Sequence, residues 1–290
     1  MKLDLKNRKI LHQLEMNARI PFSKLGEAVG LSKQVVKYRV EKLEEKNIVQ
    51  GYNAIINTKK LGENIFVIYL KLQHLSNKKE SRWIKELKGS NKVVAVGKNA
   101  GHFDLTLVLT AENNDEIYNK LDRLTRDYKK NIRKTIITSE IDSYYFGLKL
   151  LLDQSSEEFV VRGSERLRVD DIDFKIIKEL SENARTSLVD LAAKVDMTAG
   201  GVKQRLKNLE DNGIIVGYRT KINYEKLGFL HFRVFLNLEE NNEGIYKKIR
   251  DYLRQTGKVE SVGKYLGYAD IDFRCRVESV IYLYRLISEI

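Results

Sequence analysis

Residues 213–228 read GIIVGYRTKINYEKLG, and residues 47–62 read NIVQGYNAIINTKKLG. Gly217–Tyr218 falls on Gly51–Tyr52, Asn223 on Asn57, and Leu227–Gly228 on Leu61–Gly62, at a constant spacing of 166 residues. The spacing holds well beyond this phrase. ENARTS (182–187) falls on MNARIP (16–21), VKQRLKNLED (202–211) on VKYRVEKLEE (36–45), and KVESVGKYLGYADI (258–271) on KVVAVGKNAGHFDL (92–105). No gap is needed from Asp4/Asp170 to Leu124/Ile290. The chain is a tandem duplication, and a unit of this length is too long for a solenoid repeat. Each unit is expected to hold a small domain followed by a larger one. Ile290 corresponds to Leu124, so the second unit lacks equivalents of the first unit's residues 125–147. Either the chain is a fragment or the second unit lacks its last strand.

Composition narrows the class. The 290 residues exceed one ordinary core, and 42% apolar content is that of a folded protein. No run of 18 apolar residues and no signal-peptide apolar region occurs, so a cytoplasmic chain is expected. The lone Cys275 rules out an internal disulfide and a cysteine-based zinc site. The four histidines (His12, His74, His102, His231) lack partners at ligand spacing, so neither metal nor other cofactor is expected. The net charge of +12 suits a polyanionic partner but is unevenly spread: residues 1–52 carry +5 and residues 169–218 carry −2.

The first third of each unit reads as a winged helix-turn-helix. Leu5, Ile10, Leu11 and Leu14 recur at helical spacing, as do Ile172, Ile176, Ile177 and Leu180. A short helix follows, opened in the second copy by a Ser187/Asp190 capping box. Gly30–Leu31–Ser32 then makes a turn ending in a serine N-cap, a part played by Thr198 in the second copy. In the third helix Val36, Val40 and Leu43 point inward. Lys33, Gln34, Lys37, Tyr38 and Glu41 are left outside, a pattern suited to base edges and phosphate in a major groove. The plain alternative is a three-helix core with a solvated charged face, and the duplication of the whole pattern favours DNA binding. The expected DNA contacts are Ser32, Lys33, Gln34, Lys37 and Tyr38, then Thr198, Lys203, Gln204 and Lys207. Arg39 and Arg205 sit beside the buried stripe, so a structural salt bridge or a helix-packing role is preferred to base reading. The second helix has Ala199–Gly200–Gly201 where the first has Lys33–Gln34–Val35, so a weaker or less discriminating second reader is expected.

Strand and helix patterns follow in the order βαββαβ. NIFVIYLKL (64–72) is a strand, residues 78–88 a helix, KVVAVGK and DLTLVLT strands, 115–129 a helix, and TIIT and SYYF the last strands. That order is ferredoxin-like, a four-stranded antiparallel sheet with helices on one face. Its open face needs a cover, and the second copy is the obvious one. The segment 153–168 is polar and charged, and reads as an extended linker.

Taken together, LDLKNRKIL (3–11), NAR (17–19), VGLS (29–32), VKYRVEKLEEKNIVQGY (36–52), LG (61–62) and GHFD (101–104) resemble Lrp/AsnC-type transcription regulators over residues 3–147. VDDIDFKII, NAR, VDMT, VKQRLKNLEDNGIIVGY, LG and GYAD (267–270) repeat the likeness over 169–290. Asn7 departs from the usual aspartate, Asp173 restores it, and Phe174 replaces the following arginine. The resemblance implies an α+β fold: two winged helix-turn-helix domains (1–56 and 169–222) alternating with two ferredoxin-like, RAM-type βαββαβ domains (57–150 and 223–290), the last incomplete, with a linker at 151–168. It also implies double-stranded DNA as partner, pairing of the two sensor domains with further homo-oligomers in prospect, and an amino-acid-like effector near Gly101, Asp104, Gly267 and Asp270. The bland reading of that Gly-x-x-Asp is a turn with a backbone-capping carboxylate. Sirohaem decarboxylases share the likeness and occur as paired copies. Their histidine-arginine stretch would fall after Tyr52 or Tyr218, where only His231 is found, followed by Phe232. No catalytic residue is therefore expected, and an enzyme or a scaffold that does not bind DNA remains the alternative.

Overall fold

The computed structural model describes residues 3–154, 158–163, 165–240 and 242–290. The first head is α1 (Leu5–Met16), α2 (Phe22–Val29), α3 (Lys33–Glu45) and the strand β1 (Val49–Ile56). The first sensor domain is β2 (Asn64–Leu72), α4 (Asn77–Gly89), β3 (Ala95–Lys98), β4 (Leu105–Ala111), α5 (Asn114–Thr125) and β5 (Ile132–Phe146). A short strand, β6 (Glu158–Arg162), precedes the second head: α6 (Asp171–Glu182), α7 (Leu188–Val195), α8 (Ala199–Asp211) and β7 (Ile215–Ile222). The second sensor domain has β8 (Leu230–Leu236), α9 (Glu243–Thr256), β9 (Val259–Leu266), β10 (Ile271–Val277) and α10 (Val280–Ser288). No helix among the described residues is long and apolar enough to cross a membrane.

The repeated phrase forms the centre of the molecule. Its two copies, β1 and β7, pair with each other as an antiparallel ribbon, Asn53 opposite Arg219. Each wing begins on its own head, with Val49 and Tyr52 in the first core and Ile215 in the second, and then crosses to the other. Ala54 and Leu61 sit in the core of the second head, while Ile222 and Tyr224 sit in that of the first. The glycines of the phrase have separate reasons. Gly62 and Gly228 take φ of +86° and +97° as they end short 3-10 turns, a conformation that costs other residues a steric penalty. Gly217 lies so close under the Phe159 ring of β6 that a Cβ would collide with it.

The sensor strands run in the order β3-β4-β2-β5-β9-β10-β8, with β6 beside β5. β2 is buried on both faces, which explains its unbroken apolar run. Phe66, Ile68 and Leu70 face Trp83, Leu87, Ile117 and Leu121 of the helices. Val67 and Tyr69 face the other copy, packing with Phe235, Tyr265 and Tyr268. The expected cover for the open sheet face is thus in place.

Three differences from the sequence reading concern the segment after α5. The strands TIIT and SYYF are one 15-residue strand, β5. Its first half pairs with β2 and its second half with β9, so it stitches the two sensor domains together. The supposed linker is partly sheet, since Glu158–Arg162 pairs with Phe146–Asp142. Leu148 and Leu151, just before it, are buried in the core of the first head.

Three contacts join residues 166 apart: Asn53 with Arg219, Tyr69 with Phe235 (ring centroids 5.2 Å), and His102 with Tyr268 (6.2 Å). A pseudo-twofold axis therefore runs from the wing ribbon through the sensor seam. The chain is a covalent pseudo-dimer.

Candidate nucleic-acid interface and sensor seam

Ser32 starts α3, its hydroxyl accepting the Val35 N–H at 3.3 Å. Val36, Val40 and Leu43 then fix the inner face of the helix in the core. Lys33, Gln34, Lys37 and Tyr38 are left in solvent, together with Val35, an exposed apolar side chain that the sequence reading placed on no face. Lys37 approaches Glu41 at 3.7 Å, an exposed pair too weak to hold it away from a phosphate. Lys42 lies over the Tyr38 ring at 5.7 Å.

Arg39 does not point outward. Its guanidinium donates to Asp4 at 2.8 Å and Asn7 at 3.0 Å, tying α3 to the N-terminus of α1. Asp4 also accepts the Asn7 N–H as helix N-cap. The Arg39 hydrogen bond, with the capping bond, holds the Asp4 carboxyl below its usual range. Arg205 repeats the arrangement with two carboxylates, Asp170 at 2.8 Å and Asp173 at 2.9 Å. The structural salt-bridge reading of this arginine is the geometry found.

α8 presents less. Thr198 caps it through the Gly201 N–H at 3.1 Å. Gly200 stands where Gln34 stands in α3, and a Cβ there would meet nothing nearer than Thr198 Oγ1 at 4.0 Å. Lys203 is exposed, Gln204 bonds Asn208 at 3.0 Å, and Lys207 pairs with Asp211 at 2.7 Å. The Lys207 pair is as exposed as that of Lys37, so what sets α8 apart is the missing side chains at Gly200 and Gly201.

The two heads are locked reciprocally by the repeated Asn-Ala-Arg. The Ala18 N–H donates to Tyr218 O at 3.1 Å, and that of Ala184 to Tyr52 O at 2.7 Å. Arg19 donates to the carbonyls of Ala184 and Thr186 and lies over the Tyr218 ring. Arg185 donates to the carbonyls of Ala18 and Ile20 and lies over the Tyr52 ring. Each arginine thus satisfies buried or half-buried carbonyls of the opposite copy, which ties the two heads together.

A buried charged network joins the first head to the second sensor sheet. Tyr224 donates to Glu15 at 2.8 Å, and Arg219 approaches Glu15 at 3.5 Å. Desolvation pushes the Glu15 carboxyl above its ordinary range, with Arg219 opposing. At Glu260 desolvation also acts upward, but Arg276 and Arg274 outweigh it and hold the group at about 2. The equivalents of Glu15, Glu260 and Arg276 in the pseudo-symmetric copy are Ser181, Val94 and Thr110, so this wiring exists on one side only.

The Gly-x-x-Asp loops meet across the axis. Asp104 accepts the Leu72 N–H at 2.7 Å and pairs with Lys71 at 3.0 Å. Asp270 accepts the Leu238 N–H at 2.8 Å. Both carboxylates therefore cap backbone. Both glycines are exposed, but a Cβ at Gly267 would meet Ile137 O at 2.9 Å whereas one at Gly101 would meet nothing, so the two loops differ in the room around them. Below them Tyr69 donates to the buried Asp272 at 2.7 Å, and Arg233 Nε donates to the same carboxylate at 2.6 Å.

Comparison with known proteins places these features. The family model described as an AsnC-type helix-turn-helix domain matches residues 3–44, and a winged helix-turn-helix DNA-binding model matches residues 169–216. An uncharacterised HTH-type transcriptional regulator of Pyrococcus furiosus is 34% identical over 133 residues, covering 46% of this chain and 86% of that protein. The HTH-type transcriptional regulator LrpA of Bacillus subtilis is 44% identical over 70 residues, 24% of this chain and 51% of that one. Among solved structures, the siroheme decarboxylase NirDL superposes with a TM-score of 0.61 at 14% identity, covering 98% of this chain and 86% of that one. This last likeness is one of fold, and it spans both copies.

Proposed function

This chain belongs to the Lrp/AsnC family of helix-turn-helix transcription regulators, and on that premise we propose that it is a sequence-specific DNA-binding regulator with two unequal readers. The observation that carries the reading is the capped start of α3. There Lys33, Gln34, Lys37 and Tyr38 stand in solvent on a helix pinned by Arg39, in a head that Arg185 ties to the other. Ser32 and Thr198 set the two helix starts close to the DNA backbone. Lys203, Gln204 and Lys207 give the second reader a weaker, mainly phosphate-directed contact. Two linked readers that differ in this way prefer an asymmetric operator, since half-site symmetry follows protein symmetry. The meeting of the 101–104 and 267–270 loops supports a sensing role for Gly101, Asp104, Gly267 and Asp270, with a small molecule acting at the seam.

Titration of promoter DNA against salt tests the first part. A steep negative slope of log K against log salt is expected from phosphate neutralisation. Absence of binding at low salt sinks the regulator reading. Replacing Lys33 and Gln34 with alanine is expected to weaken specific binding more than replacing Lys203 and Gln204, and equal losses refute the asymmetry.

The likeness in fold to a sirohaem decarboxylase over both copies favours one second reading, an enzyme acting on a tetrapyrrole. His231, the histidine of the window after the wings, lies half-buried 3.6 Å from Glu260 and is not followed by arginine. Visible absorption of the protein titrated with sirohaem separates the readings: a bound-tetrapyrrole spectrum followed by decarboxylation supports the enzyme.

A further inference from the structure

Beside the 101–104 loop lies a cleft of about 390 Å³ lined by Lys71, Gly101, His102, Arg133 and Lys134. Lys71 and Lys134 are direct cross-strand partners in the β2–β5 ladder. Like charges so placed repel one another and destabilise the pairing. Arg133 adds a third positive charge, and neither it nor Lys134 has an ion-pair partner among the described residues. Among the described residues one carboxylate pairs with the group, Asp104, which takes Lys71 on one oxygen and the Leu72 N–H on the other. The cleft therefore sets three cationic side chains against one carboxylate that is already paired, an excess of positive charge.

We propose that this cleft binds a small polyanion, bearing a phosphate or several carboxylates, in preference to a zwitterionic amino acid. The inference rests on the reading of the 101–104 loop as a sensing element and names the ligand class for it. The site is specific to the first copy, because Asn237 and Tyr268 replace Lys71 and His102 in the second. Its occupant lies beside the inter-copy seam, since His102 stacks on Tyr268 and meets Phe103 edge-on at 4.7 Å.

The test is calorimetric titration of the full chain at low salt with inorganic pyrophosphate, citrate and L-leucine as probes. One polyanion per chain is expected, with no saturable heat from leucine. The pyrophosphate and citrate arms tell phosphate from carboxylate chemistry. Lys134→Gln is expected to weaken polyanion binding at least tenfold, while Lys33→Gln with Lys37→Gln, on the reading helix, leaves it unchanged. Because Lys134→Gln also removes the cross-strand repulsion, it is expected to melt higher than the parent without anion and to lose the anion-induced rise. Absence of saturable polyanion binding, or binding indifferent to Lys134→Gln, overturns the proposal. DNA affinity read with and without each probe separates the two levels. Polyanion binding that leaves DNA affinity unchanged upholds the site and overturns its sensing role. Leucine that alters DNA affinity with no polyanion bound upholds sensing and overturns the ligand class.

Discussion

Gly200→Gln puts an amide side chain at the position that Gln34 occupies in the first reader. The site tolerates it, because a Cβ at Gly200 meets only Thr198 Oγ1 at 4.0 Å and the residue is exposed. Replacing glycine in a helix also gains up to about 0.5–1 kcal/mol, and this first-turn position falls at the low end. A glutamine paired with an adenine edge discriminates by about 1–3 kcal/mol, or roughly 5- to 150-fold. Fluorescence anisotropy on two duplexes reads the effect: one with a single half-site for the first head, the other with that half-site repeated as an inverted pair. The variant is expected to gain affinity on the inverted pair alone. Its salt slope is expected to stay as in the parent, because glutamine adds no charge, whereas Lys203→Ala lowers the slope by about 0.9 if that lysine meets a phosphate. An equal gain on both duplexes, or a steeper slope, refutes the assignment of these helix positions to base reading.

Other consequences are as direct. Arg19→Ala and Arg185→Ala each remove charge-assisted bonds to two part-buried carbonyls of the opposite copy, so a loss of about 1.5–3 kcal/mol in thermal unfolding and weaker DNA binding by the pair of heads are expected. Tyr69→Phe removes the hydroxyl bonded to the buried Asp272 and is expected to cost about 1.5–3 kcal/mol, with melting unchanged as the opposing result. Burial raises the Glu15 carboxyl above its unfolded value near 4.5, so its contribution is fully present below that pH and is lost as pH rises through the folded value. Glu15→Gln is therefore expected to gain on the parent in melting temperature as pH rises above about 4.5, and parallel profiles would falsify this account.

What the sequence made legible was local or repeated. Helical spacing placed Val36, Val40 and Leu43 inside, and the angle of Arg39 from that stripe separated it from the DNA-facing side chains. The duplication itself pointed to two copies facing each other. The exchange of wings was not legible, because the partner of Tyr52 is Thr220 and no local period carries a pairing across that distance. The task of the Asn-Ala-Arg arginines was hidden for another reason. Arg19 and Arg185 act on backbone carbonyls, which every residue has, so their partners leave no mark in side-chain identity. β6 escaped because its register depends on β5 continuing past Ser139, where the sequence reads as a break between two short strands.

The exchanged wings also set a timetable for synthesis. The three helices of the first head leave the ribosome early, but the residues that seal their apolar surface, Ile222 and Tyr224, come from the opposite copy. At about 5–20 residues per second, Leu14, Val36 and Val40 wait roughly 10–35 s for those residues after β1 has been made. During that interval the nascent chain exposes a sticky half-core and an unpaired strand of eight residues. Two nascent chains on one message then have the means to complete each other, so trans-exchanged dimers are the misassembly this architecture invites at high expression.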